Sequence, residues 1–150
     1  MQTNLMELIQ KRYFESSRRP IFEHFLKPEL TALSEGESTI RMNIGDEHLN
    51  AQRMIHGGVL AAVADLAMGV ACITYDRQVV TTDMHTTYIG NVGVGSTIKA
   101  VANVIHNGKT LIRAICHIYD ENGRLLVSAH GTYFVIGELQ KDLETHLSGI

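Results

Sequence analysis

Between Arg53 and Asp76 the chain carries one charged side chain, counting histidine as neutral. It is Asp65, set inside the run Val59-Leu-Ala-Ala-Val-Ala-Asp-Leu-Ala-Met-Gly-Val-Ala-Cys-Ile73. An apolar segment of this length with no polar face predicts a helix covered on nearly all sides. A carboxylate half-way along such a helix loses hydration unless something pairs with it, at a cost of several kcal/mol. Leucine or alanine there would be more stable. The acid therefore points either to chemistry at Asp65 or to a structural carboxylate hydrogen-bonded to the next layer.

At 150 residues, 45% hydrophobic and 19% charged, the chain is expected to form one domain over residues 1–150, with a helical segment at 1–29 and a polar tail at 138–150. A net charge of −3 offers no basic footprint, so no nucleic-acid partner is expected. The first twelve residues lack the apolar core of a signal peptide. The run from Val59 to Ile73 is shorter than the ~20 apolar residues of a membrane span. The expectation is a cytoplasmic protein without a membrane partner. Cys72 and Cys116 both lie in apolar stretches and read as buried thiols rather than a disulfide.

Leu5, Leu8, Ile9 and Tyr13 share one helical stripe, Arg18-Arg19-Pro20 breaks it, and Pro20 can open a second short helix ending before Pro28. Strands are expected at Leu30–Ser34 and Ser38–Ile44, then the apolar helix from Gly57 to Tyr75. Four further strands follow as a meander: Gln78–Ile89, Thr97–His106, Thr110–Asp120 and Leu125–Ile136. Asn107-Gly108 and Asn122-Gly123 are hairpin signals. Small residues on one strand face (Ala100, Ala102, Ala114) leave room for a helix. Leu139, Leu143 and Leu147 suggest a short surface helix in the tail. The fold class is α+β: an antiparallel β-sheet wrapped around a long central helix.

The start of that helix is His56-Gly57-Gly58. Two glycine amides at a helix N-terminus have no helical partner and sit at the positive end of the dipole, where an oxyanion can be stabilised. The alternative is that the glycines only permit a tight entry turn. Gly57 and Asp65 are eight residues apart, so their α-carbons lie roughly 12 Å apart along the axis. One carbonyl needs an attacking group and an oxyanion donor both at about 3 Å. Two antiparallel helices related by a two-fold axis bring Asp65 of one beside Gly57 of the other.

The segment Asn50-Ala-Gln-Arg-Met-Ile-His56-Gly57-Gly58, followed by Asp65, then Thr81-Thr-Asp83-Met84 and Tyr88, resembles the hotdog-fold acyl-CoA thioesterases of the phenylacetate-degradation and human acyl-thioesterase type, over about residues 38–136. The resemblance implies an acyl-CoA substrate, no cofactor, and a homodimer that can pair further into a tetramer. It implies Gly57 as the oxyanion amide, His56 as the group that orients the thioester, and Asp65 as general base or nucleophile. It implies Asn50 as the residue that holds the water or the acid and Thr81 as one that helps position that water, with Asp65 and Thr81 from one subunit and Asn50, His56 and Gly57 from the other. Gly58, Met84 and Tyr88 fall where substrate would bind, although the methionines also fit a plain core. After Tyr88 many members have a Pro-containing turn with a basic residue, whereas this chain has Ile89-Gly90-Asn91-Val92-Gly93. Lys109 and Arg113 are then the candidates for the coenzyme phosphates, against their being solvated strand-edge charges.

The histidines form no recognised zinc spacing, so no metal is expected. Asp83 shares strand parity with Thr81, which leaves it open as a second acid or a structural partner. Two rival functions remain. One is a non-catalytic acyl-thioester binding protein. The other is a hydratase or dehydratase of the same fold, against which the spacing from Gly45-Asp46 to His56 argues.

Overall fold

The computed structural model describes residues 2–15 and 21–141. They form α1 (Gln2–Tyr13), α2 (Glu23–Leu26), β1 (Glu29–Ser34), β2 (Glu37–Asn43), a short 3-10 turn at Asp46–His48, α3 (Gly57–Ile73), β3 (Arg77–Tyr88), β4 (Thr97–Asn107), β5 (Leu111–Tyr119) and β6 (Leu125–Glu138). The six expected strands and the apolar helix are present within one or two residues of their predicted ends, and the short second helix lies before Pro28 as expected. The helix break at Arg18-Arg19-Pro20 and most of the polar tail, with Leu143 and Leu147, lie outside the described residues. Leu139 is not a surface residue; it is 1% exposed and belongs to the core.

All six strands join one antiparallel sheet in the order β1-β2-β4-β5-β6-β3. The expected four-strand meander is corrected here: only β4, β5 and β6 form one, and β3 pairs with β6 at the far edge. Local alternation marks strands and their faces but says nothing about which edge a strand will occupy. α3 packs across β2 to β6. Ala100, Ala102 and Ala114 are fully buried beneath it, so their small side chains set how closely the helix approaches. Leu60, Val63, Met68 and Cys72 fill the space between, and each large side chain buried this way contributes about 1.5–3 kcal/mol. Leu5 and Ile9 of α1 join the same core.

α3 is less enclosed than its apolarity predicts. Gly58, Ala61, Ala62, Asp65, Leu66 and Gly69 are exposed or half-exposed, a stripe of mostly small residues interrupted by the acid and by Leu66. Among the described residues no helix is long and apolar enough to cross a membrane.

Candidate active site

Asp65 lies on that half-exposed stripe. Its Oδ1 accepts a hydrogen bond from Thr81 Oγ1 at 2.9 Å and another from the Tyr133 hydroxyl, also at 2.9 Å. Both donors point from the sheet face beneath α3, because Thr81 of β3 is paired directly with Tyr133 of β6. Oδ2 makes no hydrogen bond with the described residues. Tyr133 is 1% exposed, and burial pushes its phenol well above the ordinary tyrosine range, with the Asp65 carboxylate adding to the shift. At neutral pH Tyr133 is therefore a donor to the acid. It was not among the sequence candidates; nothing in the local pattern of β6 separates it from Phe134.

A β-bulge decides which neighbours reach Asp65. Thr81 pairs with Tyr133 and Asp83 with Thr132, so Thr82 is the extra residue. The Thr82 hydroxyl bonds back to the Thr132 carbonyl at 3.0 Å. The parity argument that placed Asp83 beside Thr81 is corrected by this bulge, which turns Asp83 to the sheet face opposite α3. Met84, one residue on, returns to the helix side and packs half-buried against the core.

The helix N-terminus forms a second cluster. His56 is the N-cap, and its Nδ1 accepts the Gly58 N–H at 2.8 Å. A Cβ on Gly58 would lie 2.9 Å from that nitrogen, so the second glycine is what lets the imidazole fold back over the turn. The bond consumes the Gly58 amide. The Gly57 N–H, by contrast, has no acceptor among the described residues, and it sits at the positive end of the dipole. With Nδ1 accepting, a neutral His56 carries its proton on Nε2. Tyr88, at the end of β3, donates its hydroxyl to the Gly57 carbonyl at 3.0 Å, and its ring covers the same glycine.

Four further residues hold this turn in place. Asn50 Oδ1 accepts the backbone N–H groups of Gln52 and Met54 at 2.9 and 3.1 Å, which leaves only its NH2 group for a ligand. Asn91, in the segment that departs from the family pattern, pairs with the Ile55 peptide through both side-chain atoms. Arg124 in turn donates to the Asn91 carbonyl at 2.7 Å. His48, 1% exposed, accepts the Gly45 N–H on Nδ1 and donates from Nε2 to the Phe25 carbonyl at 2.9 Å, fastening α2 to the loop before α3.

The two clusters stay apart within one chain. Asp65, Thr81 and Tyr133 meet near the middle of α3, while His56, Gly57 and Tyr88 meet at its start, with Asn50 in the preceding loop. Lys109 and Arg113 join neither. Lys109 is in the β4–β5 turn, at the end of the sheet away from Gly57, where its carbonyl accepts from Arg77. Arg113 pairs with Thr132 on the face opposite α3.

A cavity of about 140 Å³ opens beside Asp65, with α3 from Asp65 to Ile73 as one wall and Val79, Thr81 and Tyr133 as the other. Such a site, with a half-exposed carboxylate tethered through one oxygen and open on the other, can accept a proton from a water or ligand held in the cavity.

Comparison with known proteins gives the arrangement a family. A family model described as the thioesterase superfamily matches residues 52–127, just over half of the chain. A putative esterase of Archaeoglobus fulgidus is 23% identical over 137 residues, covering 91% of this chain and 87% of its own. Human acyl-coenzyme A thioesterase 13 is 33% identical over 93 residues, 60% of this chain and 66% of that protein, just under two thirds of its length. The solved structure of the PaaI protein from the phenylacetic acid degradation operon of E. coli superposes with a TM-score of 0.81 at 20% identity, covering 91% of this chain and 94% of the other; at that identity the likeness concerns the fold. With its apolar helix wrapped by an antiparallel sheet and its central segment matched by that model, this chain belongs to the thioesterase superfamily and has the hotdog fold.

Proposed function

We propose that the chain hydrolyses acyl-coenzyme A thioesters to a carboxylic acid and free coenzyme A, in a site completed by a second copy of itself. The observation that carries this reading is the asymmetry at Asp65, a residue that lines the cavity: Oδ1 is held by two hydroxyls, while Oδ2 has no hydrogen bond with the described residues. Oδ2 takes a proton from a water whose oxygen attacks the thioester carbonyl. The oxyanion is held by the Gly57 N–H of the second copy, oriented by its His56, with the Asn50 amide holding the water. Collapse breaks the C–S bond, and the proton on Asp65 passes to the departing thiolate. Gly58 acts indirectly, by seating His56, and Tyr88 by covering Gly57.

Two features support a homodimer. The half-exposed small-residue stripe of α3 suits an antiparallel neighbour helix, and β3 is a twelve-residue edge strand whose outer side has no partner among the described residues. The acyl-coenzyme A substrate is the one named in the human relative's description. Two free buried cysteines fit a reducing, cytoplasmic setting.

The test is thiol release from short, medium, long and aromatic acyl-coenzyme A thioesters, with molecular mass measured by light scattering. Turnover by a dimer, or by a larger even assembly, is expected. Turnover by a strict monomer at nanomolar concentration would remove the two-chain site.

A further inference from the structure

The cavity beside Asp65 has a roof that lies outside the family-matched segment. Tyr13 of α1 and Glu23 of α2 line it together with α3, β3 and Tyr133. From Asp65 to Ile73 the helical wall advances eight residues, roughly 12 Å, away from the α3 N-terminus. An acyl chain whose carbonyl sits at Asp65 therefore has one direction in which to extend within this protomer, toward Ile73 and under the roof. Leu66, Val70, Ile73 and Val79 make much of that path apolar. A cavity of roughly 150 Å³ accommodates a benzene-sized group, so about 140 Å³ suits an acyl tail of about six heavy atoms.

Charge along this path is one-sided. Two carboxylates, Asp65 and Glu23, line the cavity, and among the described residues no lysine or arginine does. Glu23 is half-buried and has no ion pair or hydrogen bond with the described residues. It is also held in place. Leu26, three residues later on α2, is 1% exposed, and the intervening Phe25 carbonyl is bonded to buried His48. A carboxylate on the incoming acyl group would have to share a small, partly desolvated space with two like charges and, among the described residues, no counter-ion, where repulsion is stronger than in water.

We propose that Glu23 makes this cavity a charge filter, accepting short uncharged acyl groups and rejecting acyl groups that end in a carboxylate. The proposal rests on the thioesterase reading of the site, and it assigns to the N-terminal segment a part in substrate choice.

Butyryl- and succinyl-coenzyme A separate the effect cleanly, because both present a four-carbon acyl group and only one ends in a carboxylate. The wild-type protein is expected to favour butyryl over succinyl by at least tenfold in kcat/KM. Glu23→Gln should narrow that ratio at least threefold, and Glu23→Lys should narrow it further. Equal use of the two thioesters by the wild type, or an unchanged ratio in folded Glu23→Gln and Glu23→Lys proteins, overturns the filter. Calorimetric binding of the same two thioesters to the Asp65→Asn protein repeats the comparison without hydrolysis. Weaker succinyl binding that Glu23→Gln relieves supports the filter even if no thiol is ever released, whereas equal binding overturns it. Absence of thiol release by the wild type counts against the thioesterase reading alone.

Discussion

Tyr133 donates its buried hydroxyl to Asp65 Oδ1 at 2.9 Å across 68 positions of sequence. Thr81 donates to the same oxygen, so the carboxylate is tethered on one side and open on the other. A hydrogen bond to a charged group is worth about 1.5–3 kcal/mol, enough to hold the carboxyl plane in one orientation. Burial raises the Tyr133 pKa, so the phenol keeps its proton and serves as an orienting donor rather than a proton shuttle.

Tyr133→Phe removes that donor and keeps the ring that fills the core. We expect kcat on the preferred acyl thioester to fall about tenfold, from the loss of one charge-assisted bond, with KM changed less than about twofold. Steady-state kinetics on a variant with unchanged near-ultraviolet circular dichroism checks this, and an unaltered kcat would show that Thr81 alone orients the acid.

Asp65→Asn keeps the shape and an acceptor for both hydroxyls while removing the base. Turnover should fall by roughly 10²–10⁴-fold, the usual contribution of a positioned acid–base group. The thermal midpoint should hold or rise, because an ionised group leaves an otherwise apolar helix face. Thiol release at the wild-type rate would strip Asp65 of any catalytic part.

Gly57→Pro is a cleaner probe of the unpaired amide than its chemistry first suggests. Gly57 is the first residue of α3, where proline is tolerated, and His56 has φ −64° and ψ 131°, the extended conformation that suits a residue before proline. An added Cβ meets the Tyr88 ring at 3.3 Å, a tight contact that a small ring shift relieves. Gly57→Ala carries the same Cβ and keeps the N–H. If the amide holds the oxyanion, kcat should fall by roughly 10²–10³-fold in the proline variant relative to the alanine variant. Equal rates in the two would move the oxyanion donor elsewhere.

Alkaline conditions should weaken the fold through its two thiols. Burial, with Asp65 a smaller second cause at Cys72, pushes Cys72 from its ordinary 9.0 up to about 12, and burial does the same at Cys116. Each thiol binds its proton more tightly when folded, so its stabilising contribution is complete below pH 9 and is lost as pH rises toward 12. Urea midpoints from pH 8 to 11 should decline, and Cys116→Ala should flatten the decline relative to its own value at pH 8. Native protein should also resist thiol reagents at pH 8. Rapid modification of both cysteines without unfolding would contradict their burial.

Much of this molecule was legible before its coordinates. Hydrophobic period and hairpin dipeptides located α3 and all six strands, because burial and turn chemistry act over a few neighbouring residues. The acid in the apolar helix and the His56-Gly57-Gly58 turn were visible for the same reason. So was their separation within one chain, which follows from helical rise alone. Tyr88 was expected at the substrate. Its bond to the Gly57 carbonyl, and the capture of the Gly58 amide by His56, depend on side-chain placement that no spacing reveals.

What the sequence determined by itself was local: which stretches are helix or strand, and which residues within them are costly to bury. Tertiary structure alone decided that β3 lies against β6 rather than β4, that one extra residue at Thr82 turns Asp83 away while Thr81 stays beneath the helix, and that Tyr133 arrives at Asp65. Strand order and register are set by the fit of whole faces across the core. Since a one-residue shift reverses every side chain that follows, no local pattern could have specified them.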